Sequence, residues 1–201
     1  MEPDNYSTHL LIFEKAFETF EINKVLEFGM GKFSTPFLVD HAKLVVSVEQ
    51  ESREWYEVMT TQINSSNWKP VFQPDPQIIF EQFDTHNEKF DLVFSDGAAG
   101  TRCLVANLAM ERNVPVVMLH DAEKVWHYRW NLLRIPPDYA RFDFRHKKGG
   151  NKVTSILAKN NRNILEQWDI PDHDRILLAY SSPSQPVVEL HIEVCRNQGI
   201  C

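Results

Sequence analysis

Two kinds of segment are missing from this 201-residue chain, and their absence narrows what the protein can be. No apolar run approaches the roughly 20 residues that a membrane-spanning helix needs. Residues 1–5 are polar and acidic, without the basic and apolar stretches of a secretory leader. We therefore expect a cytoplasmic protein that does not use a membrane.

Basic residues are scarce relative to acidic ones. The chain has 21 Lys and Arg against 28 Asp and Glu, which gives a net charge of -7. Nucleic-acid binding depends on Lys and Arg that displace counterions from phosphates. The charge balance therefore disfavours a broad nucleic-acid surface, although it is compatible with a local basic patch.

Cysteine is also rare, with Cys103, Cys195 and Cys201 as its only representatives. Their spacing forms neither a C-x-x-C metal pair nor an even disulfide framework, so we assign them no chemistry. Internal repeats and low-complexity linkers are absent as well. A length of 201 residues with 43% hydrophobic residues fits a single domain that spans residues 1–201.

What the chain does contain is a regular alternation of apolar blocks. Continuous β-branched runs predict strands that are buried on both faces, and runs with a 3.6-residue period predict helices between them. The predicted strands are 24–28, 44–48, 69–73, 90–95 and 114–119. The predicted helices are 7–20, 35–40, 51–63, 101–112 and 122–133. Pro74, Asp75 and Pro76 are predicted to take the chain out of regular structure.

The alternation changes after residue 139. Residues 140–146 and 152–158 flank a turn at 147–151, which predicts an antiparallel hairpin. Beyond it we predict strands at 176–180 and 187–194, separated by a Ser/Pro turn at 181–186. A parallel α/β sheet therefore closes on a hairpin, and residues 160–201 add a C-terminal β extension.

The loop after the first strand has the pattern G-x-G-x-x-S. Gly29 and Gly31 stand where the backbone turns tightly and a ligand approaches closely, which is typical of a nucleoside-cofactor loop. The third glycine of dinucleotide enzymes is replaced by Ser34, which with Thr35 predicts a helix start and an N-cap.

Polar residues follow four of the predicted strands. In parallel sheets, ligands bind at the carboxyl ends of the strands. One such residue alone is ordinarily the first solvated position, but four groups at one edge predict a site. The four groups are Glu27 with the glycine loop, Glu49 with Gln50, Ser95 to Gly97, and His120 with Asp121.

The carboxylates in these groups discriminate between cofactors. Glu49 lies 18 residues after Gly31 and is placed to accept both hydroxyl protons of a ribose. No basic residue stands beside it, which disfavours a 2′-phosphorylated dinucleotide. Glu27 at the mouth of the loop would repel a phosphate, so the loop favours a cofactor that carries an amino acid.

These residues resemble a known family. Residues 25–31 resemble motif I of class I S-adenosylmethionine-dependent methyltransferases, Ser47 to Glu49 resemble their ribose-binding acidic position, and residues 91–96 are similar to their fourth-strand motif. The resemblance covers about residues 22–159 and implies a Rossmann-like three-layer α/β/α fold with a mostly parallel seven-stranded sheet. It implies S-adenosyl-L-methionine as cofactor. The predicted cofactor-binding residues are Glu27, Phe28, Gly29, Gly31, Ser34, Thr35, Glu49, Gln50, Asp75, Asp96 and Gly97, with a turn-forming role as the equal alternative for Asp75.

The residues predicted to act in catalysis are His120, Asp121 and Asp96. An imidazole titrates near neutrality and can take the proton of a hydroxyl acceptor, while a neighbouring carboxylate orients it or the substrate. The alternative for Asp121 is an N-cap of the predicted helix 122–133. Asp96 and Asp121 also suit a divalent metal, but no third ligand is evident, so a metal is not favoured and no metal site is assigned.

The predicted function is O-methylation of a small-molecule or saccharide-like hydroxyl acceptor. The sequence after the fourth strand lacks the Asn-Pro-Pro-Tyr or Asp-Pro-Pro-Tyr motif that receives an amino group in related families. The alternatives are aminopropyl transfer, sulfonium cleavage, a non-catalytic nucleotide-binding module and, least favoured, a dinucleotide oxidoreductase. A homo-oligomer is left open.

Overall fold

Nine strands form a single sheet in the computed structural model, which describes residues 7–148, 150–178 and 189–191. The strands are β1 (Lys24–Phe28), β2 (Leu44–Glu49), β3 (Trp68–Phe72), β4 (Leu92–Ser95), β5 (Val116–Leu119), β6 (Tyr139–His146), β7 (Val153–Lys159), β8 (His173–Leu178) and β9 (Glu189–His191).

The strand order is β3-β2-β1-β4-β5-β7-β6-β8-β9. Strands β1 to β5 pair in parallel, whereas β7 runs antiparallel between β5 and β6. Strands β8 and β9 continue the sheet beyond β6. The predicted α/β fold, with its closing hairpin and C-terminal β extension, is therefore confirmed. The order in which successive strands are added to the sheet reverses between the parallel neighbours β1 and β4, which is where open α/β sheets bind ligands.

Helices cover both faces of the sheet. They are α1 (Leu10–Thr19), α2 (Ser34–His41), α3 (Arg53–Gln62), α4 (Pro76–Thr85), α5 (Arg102–Glu111) and the short α6 (Arg162–Leu165). Alternate residues of one strand join different cores: Val25 packs with α1, α2 and α3, and Leu26 packs with α4 and α5. The result is the predicted three-layer arrangement. Among the described residues, no helix is long and apolar enough to cross a membrane.

Helix α4 was not predicted. Pro76 occupies its first turn, and the Asp75 side chain caps it by accepting the Gln77 backbone N–H at 2.9 Å. Proline is well tolerated there because the first helical N–H groups have no intrahelical partner. The Pro-Asp-Pro signal therefore marks a helix start, and the expectation of irregular structure from this point is wrong.

The predicted helix over 122–133 is wrong as well. This segment consists of turns and one 3₁₀ turn at Trp130–Leu132. Asp121 and Arg129 adopt left-handed backbone angles (φ 53° and 59°), which interrupt any helix. Burial explains the outcome, because the turns insert Val125, Tyr128 and Trp130 into the core beside α5. The predicted turn at 181–186 lies outside the described residues.

Candidate active site

A cavity of about 860 Å³ opens above the carboxyl ends of β1, β4 and β5. Its walls come from the β1–α2 loop around Gly31, from Trp55 in α3, and from Asp96, His120 and Asp121. The sequence predicted that the strand-end groups would meet at one edge, and the described topology brings three of them to this cavity. Trp55 was not predicted as a wall residue; its indole N–H donates to the Met30 carbonyl at 2.7 Å.

The two glycines of the loop are required by close backbone packing. Gly29 has φ +90°, and a Cβ atom there would lie 2.5 Å from the Asp96 carbonyl oxygen. A Cβ at Gly31 would lie 2.2 Å from the Ser34 hydroxyl oxygen. Gly29 thus lets the β4–α5 loop approach β1, and Gly31 lets the loop turn onto α2. Contact with a ligand at these positions stays a prediction.

Glu27 lies beneath the loop, not at its mouth. Its carboxylate is fully buried and accepts hydrogen bonds from the hydroxyls of Ser34 (2.6 Å), Thr35 (2.8 Å) and Ser47 (2.6 Å). The prediction that Glu27 faces the cofactor is therefore wrong. Ser34 does not cap α2 either, because its hydroxyl serves Glu27 and the N-cap residue is Phe33.

Phe28 also departs from its predicted role. Its side chain is fully buried and stacks on Phe80 in the core, with ring centroids 5.7 Å apart. Only the backbone of Phe28 remains at the loop, where its carbonyl accepts the Asp96 N–H at 2.8 Å.

The buried Glu27 carboxyl predicts a pH-dependent stability. Burial raises its pKa from 4.5 to about 7 against the opposing hydroxyl hydrogen bonds. The native state therefore keeps a proton that the unfolded chain loses, and stability falls as pH rises from 4.5 to 7, by up to roughly 3 kcal/mol. Glu27→Gln should flatten this slope in urea unfolding between pH 5 and 8.

Glu57→Gln is the matched control for that experiment, because Glu57 is an exposed carboxylate in α3. It should leave the slope of the wild-type protein unchanged. A Glu27→Gln protein with the same slope as the wild type would contradict the assignment of a proton to Glu27.

Glu49 ends β2 with its side chain almost buried. One carboxylate oxygen accepts the backbone N–H groups of Glu51 (2.9 Å) and Ser52 (3.0 Å). Within the described residues the second oxygen, Oε2, has no hydrogen bond. The carboxylate is thus fixed in orientation with one oxygen left for a ligand, and its ribose-binding role stays a prediction.

Gln50 clamps three loops together. Its amide oxygen accepts the Ala98 N–H (3.1 Å) and the Thr101 hydroxyl (3.0 Å), and its amide nitrogen donates to the Pro74 carbonyl (3.2 Å). Gly97 is needed beside it, because a Cβ there would lie 2.1 Å from the amide oxygen. For Asp75, the sequence left open a cofactor contact and a turn-forming role. The structure shows the second of these, because the Asp75 side chain caps α4.

Asp96, His120 and Asp121 do come together, with one potential ligand atom from each lying within 4.8 Å of the others. His120 Nδ1 is 3.2 Å from Asp96 Oδ1, and His120 Nε2 is 3.3 Å from the Thr8 hydroxyl. The Asp96 carboxylate raises the pKa of His120 despite its burial. A tautomer that donates Nδ1–H to Asp96 leaves Nε2 as the basic nitrogen.

Arg102, at the start of α5, is a site residue that the sequence reasoning missed. Its guanidinium lies 2.7 Å from Asp96 Oδ1 and 3.8 Å from Asp121 Oδ2, and 3.9 Å from the Tyr128 ring centre. It also donates to the Gly97 carbonyl at 2.7 Å. Together with His120 it lowers the pKa of Asp96. No local pattern marks this arginine, because its partners follow two different strands.

Asp121 is surrounded by donors. Its carboxylate accepts from the ammonium groups of Lys124 (3.0 Å) and Lys152, and from the Tyr128 hydroxyl (3.0 Å). His120 and these lysines hold the pKa of Asp121 well below its usual range, so it is a poor proton acceptor. The alternative of an N-cap is wrong, because turns follow Asp121 instead of an α-helix.

The cations around these carboxylates bear on the metal alternative. Asp96 already pairs with Arg102, and Asp121 with Lys124 and Lys152. A divalent ion that bound these carboxylates would have to displace the Arg and Lys side chains or lie next to their positive charges. Carboxylate sites for hard cations do not normally contain such charges. The three side chains suit a metal in number, but their present partners do not favour one.

The segment that precedes α1 forms another wall of the site and was also missed. Thr8 bonds His120 through its hydroxyl, and its carbonyl lies 3.0 Å from Nε2 of His173 in β8. His9 lines the cavity next to His120. The C-terminal extension thus holds the N-terminal segment against the site, a role that no sequence pattern indicated.

Comparison with known proteins gives matches in structure alone. No protein-family model and no curated protein matches the sequence. The O-methyltransferase TomG from Streptomyces achromogenes, solved in complex with SAM, is 15% identical over 77% of this chain and 78% of its own, with a TM-score of 0.59. An O-methyltransferase from Bacillus cereus in complex with SAH is 14% identical over 76% and 80% of the two chains, with a TM-score of 0.61. At this identity the likeness concerns the fold, and the chain has the fold of the class I S-adenosylmethionine-dependent methyltransferases.

Proposed function

We propose that this protein is an S-adenosylmethionine-dependent O-methyltransferase whose acceptor is a small-molecule or saccharide-like hydroxyl compound. The observation that carries the proposal is the pair of His120 and Asp96, which stands in a cavity that also reaches the glycine loop. Transfer of a methyl group from a sulfonium to a hydroxyl oxygen requires alignment and removal of one proton. The imidazole of His120, which is hydrogen-bonded to Asp96, is a group that can remove this proton.

The donor side rests on the fold and on residues of the β1–α2 loop and β2. S-adenosylmethionine would supply an electrophilic methyl group. Glu49 offers its Oε2 oxygen to the ribose hydroxyls, and Gly31 leaves the loop open to the cavity. Two structural neighbours were solved with SAM or SAH, which supports this choice of donor.

On the acceptor side, His120 takes the hydroxyl proton through Nε2 while Nδ1 remains hydrogen-bonded to Asp96. The Asp96 carboxylate stabilises the imidazolium that forms, because opposite charges attract strongly in a buried site. Arg102 keeps Asp96 ionised and fixes its position. For this step Thr8 has to yield its place at Nε2 to the acceptor hydroxyl.

Glu49→Gln tests the donor site. The amide oxygen can still accept the Glu51 and Ser52 N–H groups, but the charge that strengthens ribose hydrogen bonds is lost. We expect S-adenosylhomocysteine to bind about 10- to 100-fold more weakly in calorimetry, which corresponds to roughly 1.5–3 kcal/mol. Glu51→Gln, an exposed neighbour, should bind as the wild type does. Equal affinity in both variants would remove Glu49 from the donor site.

The reaction itself is tested with S-adenosylmethionine labelled in its methyl group and a panel of phenols, alcohols and sugars. The proposal predicts S-adenosylhomocysteine together with a labelled, methylated acceptor. Methylthioadenosine as the nucleoside product would contradict methyl transfer and indicate aminopropyl transfer or sulfonium cleavage instead. Tight donor binding without any product across the panel would favour a non-catalytic module.

A further inference from the structure

A second cavity, of about 490 Å³, lies between α5 and the turns that follow β5. It shares no lining residue with the cavity of the candidate active site. Leu104 of α5 and Leu132 and Leu133 of the turns give it an apolar wall, and the first two of these side chains are exposed. Its volume and apolar wall are typical of sites for small molecules, which measure about 300–1,000 Å³.

Asn107 of α5 holds the wall of this second cavity in place. Its amide nitrogen donates to the Leu132 carbonyl at 3.2 Å, and its amide oxygen accepts the Arg134 backbone N–H at 2.9 Å. At the start of the same segment, the Trp130 side chain is fully buried in the core. The wall is thus formed before any ligand arrives, so a ligand does not have to order it.

Two arginines without partners stand at the second cavity. Arg129 and Arg134 line it with exposed side chains, and neither guanidinium forms an ion pair or hydrogen bond with any residue that the structure describes. Arg102, Arg112 and Arg141, by contrast, each pair with an aspartate at 2.7–2.8 Å. The positive charges of Arg129 and Arg134 are therefore available to a ligand.

The backbone of Arg129 indicates that its side chain has a role. Its φ of 59° is left-handed, a conformation that long side chains rarely adopt and that glycine, asparagine and aspartate adopt at lower cost. Seven described non-glycine residues have a positive φ, and the other six are Asn or Asp. The turn itself would therefore be better served by one of those residues, and backbone geometry does not account for an arginine at this position.

The charge of the second cavity is opposite to that of the protein. The chain has a net charge of -7, whereas the described residues that line this cavity include no Asp or Glu. Burial raises the pKa of the Cys103 thiol, which is also in the lining, to about 11 although Arg134 lies nearby. The thiol is therefore neutral and does not offset the two guanidinium groups. Such a local excess of positive charge attracts an anion.

We propose that the second cavity is a binding site for an organic anion that has an apolar body and a carboxylate or phosphate head. The planar guanidinium groups of Arg129 and Arg134 donate pairs of parallel hydrogen bonds, which match the oxygens of both kinds of head group. Leu104, Leu132 and Leu133 cover the apolar body, which removes apolar surface from water on both sides. The site is additional to the one proposed for methyl transfer.

The test is titration calorimetry of the full chain with four probes. Octanoate and octyl phosphate carry the two kinds of head on the same apolar body, octan-1-ol lacks the charge, and acetate lacks the body. We expect octanoate or octyl phosphate to bind at one site per chain, at least about tenfold more tightly than octan-1-ol and acetate. The tighter of the two anions identifies the head group that the site prefers.

Substitutions then locate the site. Arg129→Gly and Arg134→Met should each weaken binding of the preferred anion by about tenfold. Arg129→Gly should melt no lower than the wild type, because glycine adopts a positive φ readily. Leu132→Ser, at an exposed position, should weaken binding through the apolar body. Lys32→Met is the matched control, because Lys32 is an exposed cation of the active-site cavity, and it should leave the affinity within about twofold.

Three results would overturn the proposal. The first is a wild type that binds neither octanoate nor octyl phosphate more tightly than octan-1-ol and acetate. The second is wild-type affinity in both Arg129→Gly and Arg134→Met. The third is an equal loss of affinity in Lys32→Met, which would place the anion in the active-site cavity instead. None of these results bears on the proposed methyl transfer, which has its own tests.

Discussion

His120→Ala is expected to lower the turnover number of methyl transfer by about 10²- to 10⁴-fold, the usual contribution of a positioned general base. Donor affinity should stay within about twofold, because the proposed function assigns His120 to the acceptor and not to the donor. The measurement is S-adenosylhomocysteine production at saturating donor, accompanied by calorimetry of donor binding. His127→Ala is the control, since His127 is an exposed histidine in the turns after β5, and it should leave turnover unchanged.

The dependence of turnover on pH is a second test of His120 as the general base. Turnover should rise with pH as His120 loses its proton, with a midpoint above the ordinary histidine pKa of 6.5 because Asp96 raises it. Asp96→Asn removes the negative charge, so the midpoint should move to lower pH. Unchanged turnover in His120→Ala, or a midpoint that does not respond to Asp96→Asn, would take the pair out of the mechanism.

Arg102→Met is expected to destabilise the protein by about 3–5 kcal/mol, since it leaves Asp96 and Asp121 without their shared buried cation. Methionine retains an apolar stem against Tyr128, so the loss reports mainly on charge and hydrogen bonds. The measurement is the free energy of unfolding in urea. The loss should be larger at neutral pH than near pH 3, because Asp96 takes up a proton more readily without Arg102, whereas Asp121 stays paired with Lys124 and Lys152.

Arg112→Met is the matched control, because Arg112 pairs with the half-exposed Asp84 at 2.7 Å on the protein surface. An exposed ion pair of this kind contributes about 1 kcal/mol or less. Equal destabilisation by the two substitutions would contradict the view that Arg102 organises the site.

Much of this site could be predicted because it depends on local signals. Buried strands appear as continuous apolar runs, and the parallel topology then places Asp96 and His120 at one edge. Arg102 and His9 could not be found in this way. Arg102 meets Asp121 only because α5 packs on the sheet face against both β4 and β5, and His9 reaches His120 from more than 100 residues away in the chain.

The wrong predictions for Glu27 and for the helix after Asp121 also have their cause in tertiary packing. Glu27 has the pattern of a solvated strand end, but the hydroxyls of Ser34, Thr35 and Ser47 satisfy it below the loop. Residue Asp121 followed by Ala, Glu and Lys has good helix-start chemistry, yet burial of Trp130 and the left-handed Asp121 backbone override it. Tertiary packing decides both cases.

The central claim is that the glycine loop and Glu49 form a site for a sulfonium nucleoside. Titration calorimetry of the full chain with S-adenosylmethionine, S-adenosylhomocysteine and NAD tests it most directly. We predict saturable binding of the first two at one site per chain and no heat of binding with NAD. Binding of NAD with no response to either sulfur compound would contradict the account.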